Sequence, residues 1–441
     1  MTPATTTALL LLLAAGVATA EEEDDQEEGE DARSYRGYRV YRVFPAGGAE
    51  LRELVSGLDD EVSLWTQYLG RNGSSADLLT APRAAAEVTA RLEARRVPYL
   101  LLIADLEEAI REENPPVDPE EEDWENRGGH RLTWTRYHRY KDIDSYLDYL
   151  ANTYTDICQT EVIGKTSQGR DMKLLKVSTG GKGKPAIWID GGIHGREWIS
   201  PASATYVLLQ LVEFREQHSE LLDSVDWYIL PVANPDGYEY SHTKDRLWRK
   251  TRSAGTPHRR KDGKKARTCY GVDPNRNWDF HWREGVAGEA CREDFAGLRA
   301  FSEPETRAMS DYILARRRDI KVYLTLHSYS QMWLVPWGYQ DEKPRDYYDM
   351  YVLAEKGVKA LEAVRGTDYL LGTAAELMYT SAGGSDDWAK GAAGVKYSYS
   401  VELPDTGQHG FVLPAAQIEP VGQETWAAVK AIAAHFAEGH D

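Results

Sequence analysis

Apolar positions recur along this chain with two different periods, and the changes between them divide it. YRGYRVYRVFP (35–45) and VSLWTQYL (62–69) alternate with a period of two and predict strands, while the leucine spacing of GAELRELVSGLDD between them predicts a helix. A second helix, APRAAAEVTARLEARR, precedes another strand, VPYLLLIAD, so about 80 residues predict a small domain of strands and helices. ENPPVDPEEEDWENRGGHR (113–131) is rich in proline and acid and predicts an exposed linker.

From about Thr133 strands alternate with longer helices. The strands are KLLKVSTG, PAIWIDGGI, VDWYILPVANP, IKVYLTLHS and KYSYSVELP. The helices are SATYVLLQLVEFREQ, SEPETRAMSDYILARRR, YDMYVLAEKGVKALEAV and QETWAAVKAIAAHFAEGH. Such alternation predicts an α/β fold with a mixed, mostly parallel sheet covered by helices on both faces. Ligands of these sheets bind beyond the carboxyl ends of the strands, so those ends direct the search for chemistry.

Composition adds four facts. The chain has 441 residues, of which 42% are hydrophobic and 10% aromatic, enough for a full core and two domains. MTPATTTALLLLLAAGVATA (1–20) has an apolar run and ends small-x-small, as a secretory signal peptide does, although no Lys or Arg precedes the run. No later apolar stretch is long enough to span a bilayer, so the expected product is secreted, with no membrane partner. Charge is uneven: Glu21–Asn126 has 28 acidic against 11 basic residues, and the remaining chain has 43 against 41. The acidity thus belongs to one segment, which suggests two functional pieces. The divisions read as 1–20 signal peptide, 21–112 acidic domain, 113–132 linker and 133–441 the larger domain. Of three cysteines, Cys269 and Cys291 close a loop of 22 residues, where a bridge is worth roughly 3 kcal/mol, and Cys158 reads as a buried free thiol.

His-x-x-Glu occurs three times, at His194, His281 and His435. Only the first follows a predicted sheet strand, PAIWIDGGI; His281 lies in an irregular Trp-rich stretch and His435 on a terminal helix. Two other strand ends deliver His327 and Glu402. His194, Glu197 and His327 make a donor set of two imidazoles and a carboxylate that suits one Zn²⁺ per catalytic domain, with the fourth position open. Zinc in that arrangement lowers the pKa of water at the open position to roughly 7, and a separate carboxylate, here Glu402, can move the proton.

At this point HGREW, NPDGY, RLWRK, GVDPNRNWD, HSYSQ, YTSAGGSDDW and VELPDTG, in this order from Thr133 onward, resemble the secreted zinc metallocarboxypeptidases of the A/B type, and most of all their B-type members. The 21–132 segment resembles the activation domain of that family by length and position. The resemblance implies a zinc carboxypeptidase fold and a zymogen, with zinc on His194, Glu197 and His327 and Glu402 as general base and acid. It implies that Arg249 stabilises the oxyanion, that Asn275, Arg276 and Tyr379 grip the substrate's C-terminal carboxylate, and that Arg196 lies along the cleft. It places Asp387 as structural and Asp386 on the floor of the side-chain pocket, apolar in A-type enzymes, so that C-terminal Lys and Arg are the expected substrates. A trypsin-like protease is the expected activator, at Arg127, Arg131 or Arg136. A monomer without nucleic-acid partners is expected. Asn72 heads the one glycosylation sequon, and RRKDGKKAR (259–267) reads as a solvated basic loop, with polyanion binding as the alternative.

Overall fold

The computed structural model describes residues 32–58, 61–70, 73–116, 129–258, 267–284 and 288–439, without the side chains of 69 and 70. The signal peptide, Asn72, Arg127 and residues 259–266 of the basic loop lie outside the described residues.

The larger domain is built on eight strands. In spatial order they are Leu370–Thr373, Met332–Val335, Tyr397–Leu403, Ile320–Ser328, Ala186–Asp190, Asp226–Leu230, Asp171–Val177 and Cys158–Lys165. The middle four run parallel, and the sheet is mixed because antiparallel pairs join them to both outer groups. Central strands are apolar on both faces because helices cover both. Ile187 and Ile189 enter one core with Val322, Leu324 and Leu326, while Ala186 and Trp188 enter the other with Tyr323 and Trp388. This is the period of two expected of a pleated strand, with no polar face left over.

From Ala186–Asp190 the chain proceeds to the strand on one side, Asp226–Leu230, whereas from Ile320–Ser328 it proceeds toward the other, Tyr397–Leu403. The crevice between Ala186–Asp190 and Ile320–Ser328 is therefore the topological switch point of the sheet. HGREW follows the first of these strands and His327 ends the second.

Four antiparallel strands form the smaller sheet, in the order Val62–Gly70, Gly73–Thr80, Arg39–Val43 and Tyr99–Ile103. Helices Gly48–Val55 and Ala85–Arg95 cover one face through Leu51, Leu54, Val88 and Leu92, which pack on Tyr41, Val43 and Leu78. Val40, Trp65 and Leu79 pack instead against Leu247, Tyr329, Phe411 and Val412 of the larger domain. The last helix, Leu106–Glu113, includes Glu113, so the segment starting at 113 that reads as linker begins with a helical and buried residue. Cys269 and Cys291 form a disulfide, and Cys158 is a buried free cysteine whose thiol burial pushes up to about 12.

Candidate active site

Three elements at the switch point bring the zinc-type donors together. The ligand atoms of His194, Glu197 and His327 all lie within 4.8 Å of one another. Nδ1 of His194 is 2.7 Å from Glu197 Oε1, Nδ1 of His327 is 3.1 Å from Glu197 Oε2, and the two Nδ1 atoms are 3.3 Å apart. All three residues are buried, so the cluster is not a surface triplet. Burial alone would raise the Glu197 carboxyl, but His194 and His327 hold it well below the usual range. Burial opposes charge on His327, and Glu197 overrides this, raising the imidazole to about 9.

The backs of the two imidazoles are engaged as well. Nε2 of His194 lies 3.1 Å from Asp273 Oδ1, so its proton resides there and Nδ1 is left bare for a metal. The donor set, its common focus and this outer hydrogen bond fit a zinc ion.

Asp273 does more than orient His194. Its other oxygen accepts from Arg249 Nε at 3.0 Å and Nη2 at 2.9 Å, and Oδ1 accepts the Asn275 amide at 2.9 Å. Burial would raise its pKa, yet Arg249 and His194 hold it far below the carboxylate range. One carboxylate thus fixes a metal ligand, the candidate oxyanion cation and the start of the PNR turn. Sequence reasoning did not single it out; an Asp directly before Pro, capping a short turn, was the available signal.

Arg249 reaches the site because Gly195 lets two chain segments touch. The Gly195 amide donates to the Arg249 carbonyl at 3.1 Å, and a Cβ at 195 would lie 2.3 Å from the Gly237 carbonyl oxygen and 2.8 Å from that of Trp248. Only glycine fits between them.

Arg276 donates to Tyr379 Oη at 3.0 Å and to the Asn275 carbonyl at 2.7 Å, while Asn275 Oδ1 accepts from the Ser385 amide at 2.9 Å. Gly383 adopts φ +75°, and a Cβ there would meet the Arg276 carbonyl oxygen at 2.5 Å, so the SAGGSDD loop can wrap this arginine. Asp387 accepts the amides of Gly338 at 2.9 Å and Tyr339 at 3.0 Å. Asp386 is 7% exposed and joins no ion pair among the described residues; burial raises its carboxyl. Glu402 lies beside His327 in parallel register, and burial raises it to about 7, with Glu197 adding to the shift and His327 opposing it.

Arg196 is not part of this cluster. Its guanidinium sits 4.1 Å above the Phe411 ring and 3.4 Å from Glu293, under the smaller domain. His281 pairs with Glu284 at 3.0 Å on the surface, and His435 packs beside Tyr397 on the terminal helix; among the described residues neither belongs to a group of three ligands.

Fold and site together define a metal-dependent hydrolase whose donors stand at the switch point of an α/β sheet. The chain belongs to the zinc carboxypeptidase family: residues 143–428 match the family model described as zinc carboxypeptidase, and residues 41–113 match that of the carboxypeptidase activation peptide. It is 48% identical to carboxypeptidase B of Astacus astacus over 303 residues, which is 68% of this chain and 97% of that protein. Zinc carboxypeptidase A 1 of Anopheles gambiae is 38% identical and covers 86% of this chain and 85% of its own. The crystal structure of thrombin activatable fibrinolysis inhibitor superimposes with a TM-score of 0.78 at 31% identity, over 92% of this chain and 100% of that one. The protein is thus a zinc carboxypeptidase zymogen, with an activation domain preceding the catalytic one. Among the described residues no helix is long and apolar enough to cross a membrane.

Proposed function

We propose that the mature enzyme releases Lys and Arg from the C-termini of peptides and proteins, and Asp386 carries this reading. A buried carboxylate without a cation is costly. Arg276 only partly offsets that burial, and a substrate side chain that brings further positive charge would match it. An aromatic side chain would displace its water and leave the charge stranded.

The remaining roles follow from chemistry. The Arg276 guanidinium offers a two-donor fork that a terminal carboxylate matches, with Tyr379 and Asn275 beside it, so a chain without a free terminus there cannot satisfy it. Arg249, immobilised by Asp273, is a fixed cation for charge developing on the scissile carbonyl oxygen. Glu402, raised to about 7, can accept a proton from attacking water and deliver it to the leaving amine at neutral pH.

The activation domain is proposed to inhibit, and a trypsin-like protease to release it. Arg131 has an exposed side chain, whereas Arg136 is partly buried and precedes the buried Tyr137, which favours Arg131 of these two. The Cys269–Cys291 bridge supports an oxidising, extracellular location for a monomer acting on peptides.

The test is kcat/KM for otherwise identical peptides ending in Arg and in Phe, on the native enzyme and on Asp386→Ile. Arg should lead by about a hundredfold or more, since roughly 3 kcal/mol corresponds to that ratio, and the variant should lose the lead. Native preference for Phe, or an unchanged preference in the variant, would refute the assignment.

A further inference from the structure

Asp190 is a fully buried carboxylate, and no ion pair among the described residues includes it. It ends the strand Ala186–Asp190 and pairs in register with Thr325 on the neighbouring strand. Its two oxygens are taken by two donors: Trp188 Nε1 at 2.7 Å and Thr325 Oγ1 at 2.7 Å. The Thr325 hydroxyl proton is therefore directed at Asp190, and the lone pairs of Oγ1 are left for other partners. His327 Nε2 lies 3.3 Å from that oxygen.

The tautomer of His327 follows from what else surrounds Nε2. Its other polar neighbour is Asn275 Nδ2, at 3.4 Å. That amide is oriented by its Oδ1, which accepts the Ser385 amide, so it turns only N–H groups toward the imidazole. Metal ligation through Nδ1 requires the proton on Nε2, and a proton on Nε2 requires an acceptor. Thr325 is the acceptor available, and Asp190 is what keeps its hydroxyl turned the right way. The two ligands thus solve one problem differently: His194 gives its Nε2 proton to a carboxylate directly, and His327 gives it to a hydroxyl backed by a carboxylate.

We propose that Asp190 and Thr325 are positioning residues for the metal centre, holding His327 in the Nε2–H tautomer with Nδ1 free for zinc. Neither touches the substrate or the reacting atoms. Removing the acceptor should weaken zinc binding 10- to 100-fold, the range typical of lost outer hydrogen bonds to a ligating imidazole.

The experiment is a chelator competition for zinc on the full-length chain, comparing wild type, Thr325→Ser, Thr325→Val and Thr325→Ala. Serine keeps the hydroxyl and should hold zinc within about threefold of wild type, while Val and Ala should fall at least about tenfold below Ser. Thermal midpoints of the metal-free proteins run alongside: a packing role would lower them without separating Ser from Ala in zinc affinity. If Ser, Val and Ala bind zinc equally, the inference is overturned, even if all are weaker than wild type. Since the measurement reads metal affinity and no substrate preference, it can fail while the basic-residue specificity stands, and the converse also holds.

Discussion

At the scale of single residues, the site holds one carboxylate within the metal-type donor set and another, Glu402, that we propose moves protons. Glu197 and Glu402 are both in the buried neighbourhood of His327, yet their acidities are pushed in opposite directions. Glu197 is engaged by two imidazoles and stays ionised, as a ligand must. Glu402 loses water to burial and feels the negative charge of Glu197, so its pKa rises to about 7, where a group can both take and give a proton. Glu402→Gln should therefore retain zinc in a metal assay while kcat falls by about 10²- to 10⁴-fold, the usual weight of general acid–base catalysis. Removal of zinc by a chelator should abolish turnover in the wild type, with recovery on adding zinc. A near-native kcat in the Glu402→Gln enzyme would remove Glu402 from the mechanism. The grouping of His194, Glu197 and His327, with Glu402 in register beside His327, was legible in the sequence because strand ends are where α/β sheets put chemistry. Asp273, Asp190 and Thr325 were not, because an outer partner is defined by its distance to a ligand, and no spacing along the chain encodes that.

At the scale of elements, the central strands of the larger sheet and the helices Pro304–Arg316, Tyr347–Arg365 and Ile418–Ala437 were readable, since five to seven consecutive buried residues or a sustained helical period leave a strong pattern. The helix Tyr140–Thr153, the strand Gly73–Thr80 inside the smaller sheet, and several short and edge elements were missed. Cys158–Lys165 lies at the sheet edge with a weak inside–outside alternation, and Met332–Val335 and Leu370–Thr373 have four residues each. The helix Ile199–Leu208 is buried on nearly every side, so no apolar stripe marks its start, and it begins before the SATYVLLQ period does. The short helix Ser385–Gly391 was also missed as a helix, although its chemistry was not. It carries Asp386 and Asp387 in its first turn, and burial raises both carboxyls, Asp387 further because Asp386 adds its own charge. On the proposed specificity, a cationic substrate side chain needs Asp386 ionised, and an apolar one does not. As pH falls through a raised Asp386 pKa, binding of C-terminal Arg is lost while that of Phe is untouched by this group. The ratio of kcat/KM for Arg over Phe should thus be level at alkaline pH and decline on acidification, starting above the ordinary Asp range near 3.9. Taking the ratio on one enzyme cancels Glu402 and the metal. A ratio that stays constant or rises down to about pH 4.5 would contradict an ionised Asp386 floor.

At the scale of the whole molecule, the activation domain packs on the larger domain at several points, two of which centre on a buried tryptophan and a buried ion pair. At one, Trp65 lies edge-on to Phe411 and Tyr329, at centroid distances of 5.2 and 6.4 Å, above Gly410, where a Cβ would come within 2.7 Å of the indole. Beside it Tyr329 Oη donates to Asp77 at 2.6 Å, a fully buried carboxylate held by Arg42 through two bonds of 2.7 Å. At the other, Glu113 and Arg246 pair in a buried setting, with Nε at 2.7 Å from Oε2, and Arg246 also donates to the Phe411 carbonyl at 2.6 Å while lying 3.7 Å above Trp198. These contacts fall on Arg246, Tyr329 and Phe411, while Arg276 bonds to Tyr379 and, among the described residues, neither bonds to the activation domain. We propose that inhibition is exclusion of the substrate chain rather than loss of the catalytic groups. Truncating a buried Trp costs about 3–5 kcal/mol, and leaving one member of a buried ion pair unpartnered costs a similar amount. Either change should raise the undocked fraction of the uncleaved protein by two orders of magnitude or more, unless docking is already weak. Full-length Trp65→Ala and Glu113→Gln should accordingly hydrolyse a long peptide before any cleavage, at rates at least about tenfold above the uncleaved wild type. After trypsin treatment all three should converge, because both substitutions depart with the activation segment and the catalytic domains are identical. Uncleaved variants no more active than the wild type would place the inhibition elsewhere, and cleaved forms that differed would mean that the substitutions had damaged folding of the catalytic domain rather than its cover.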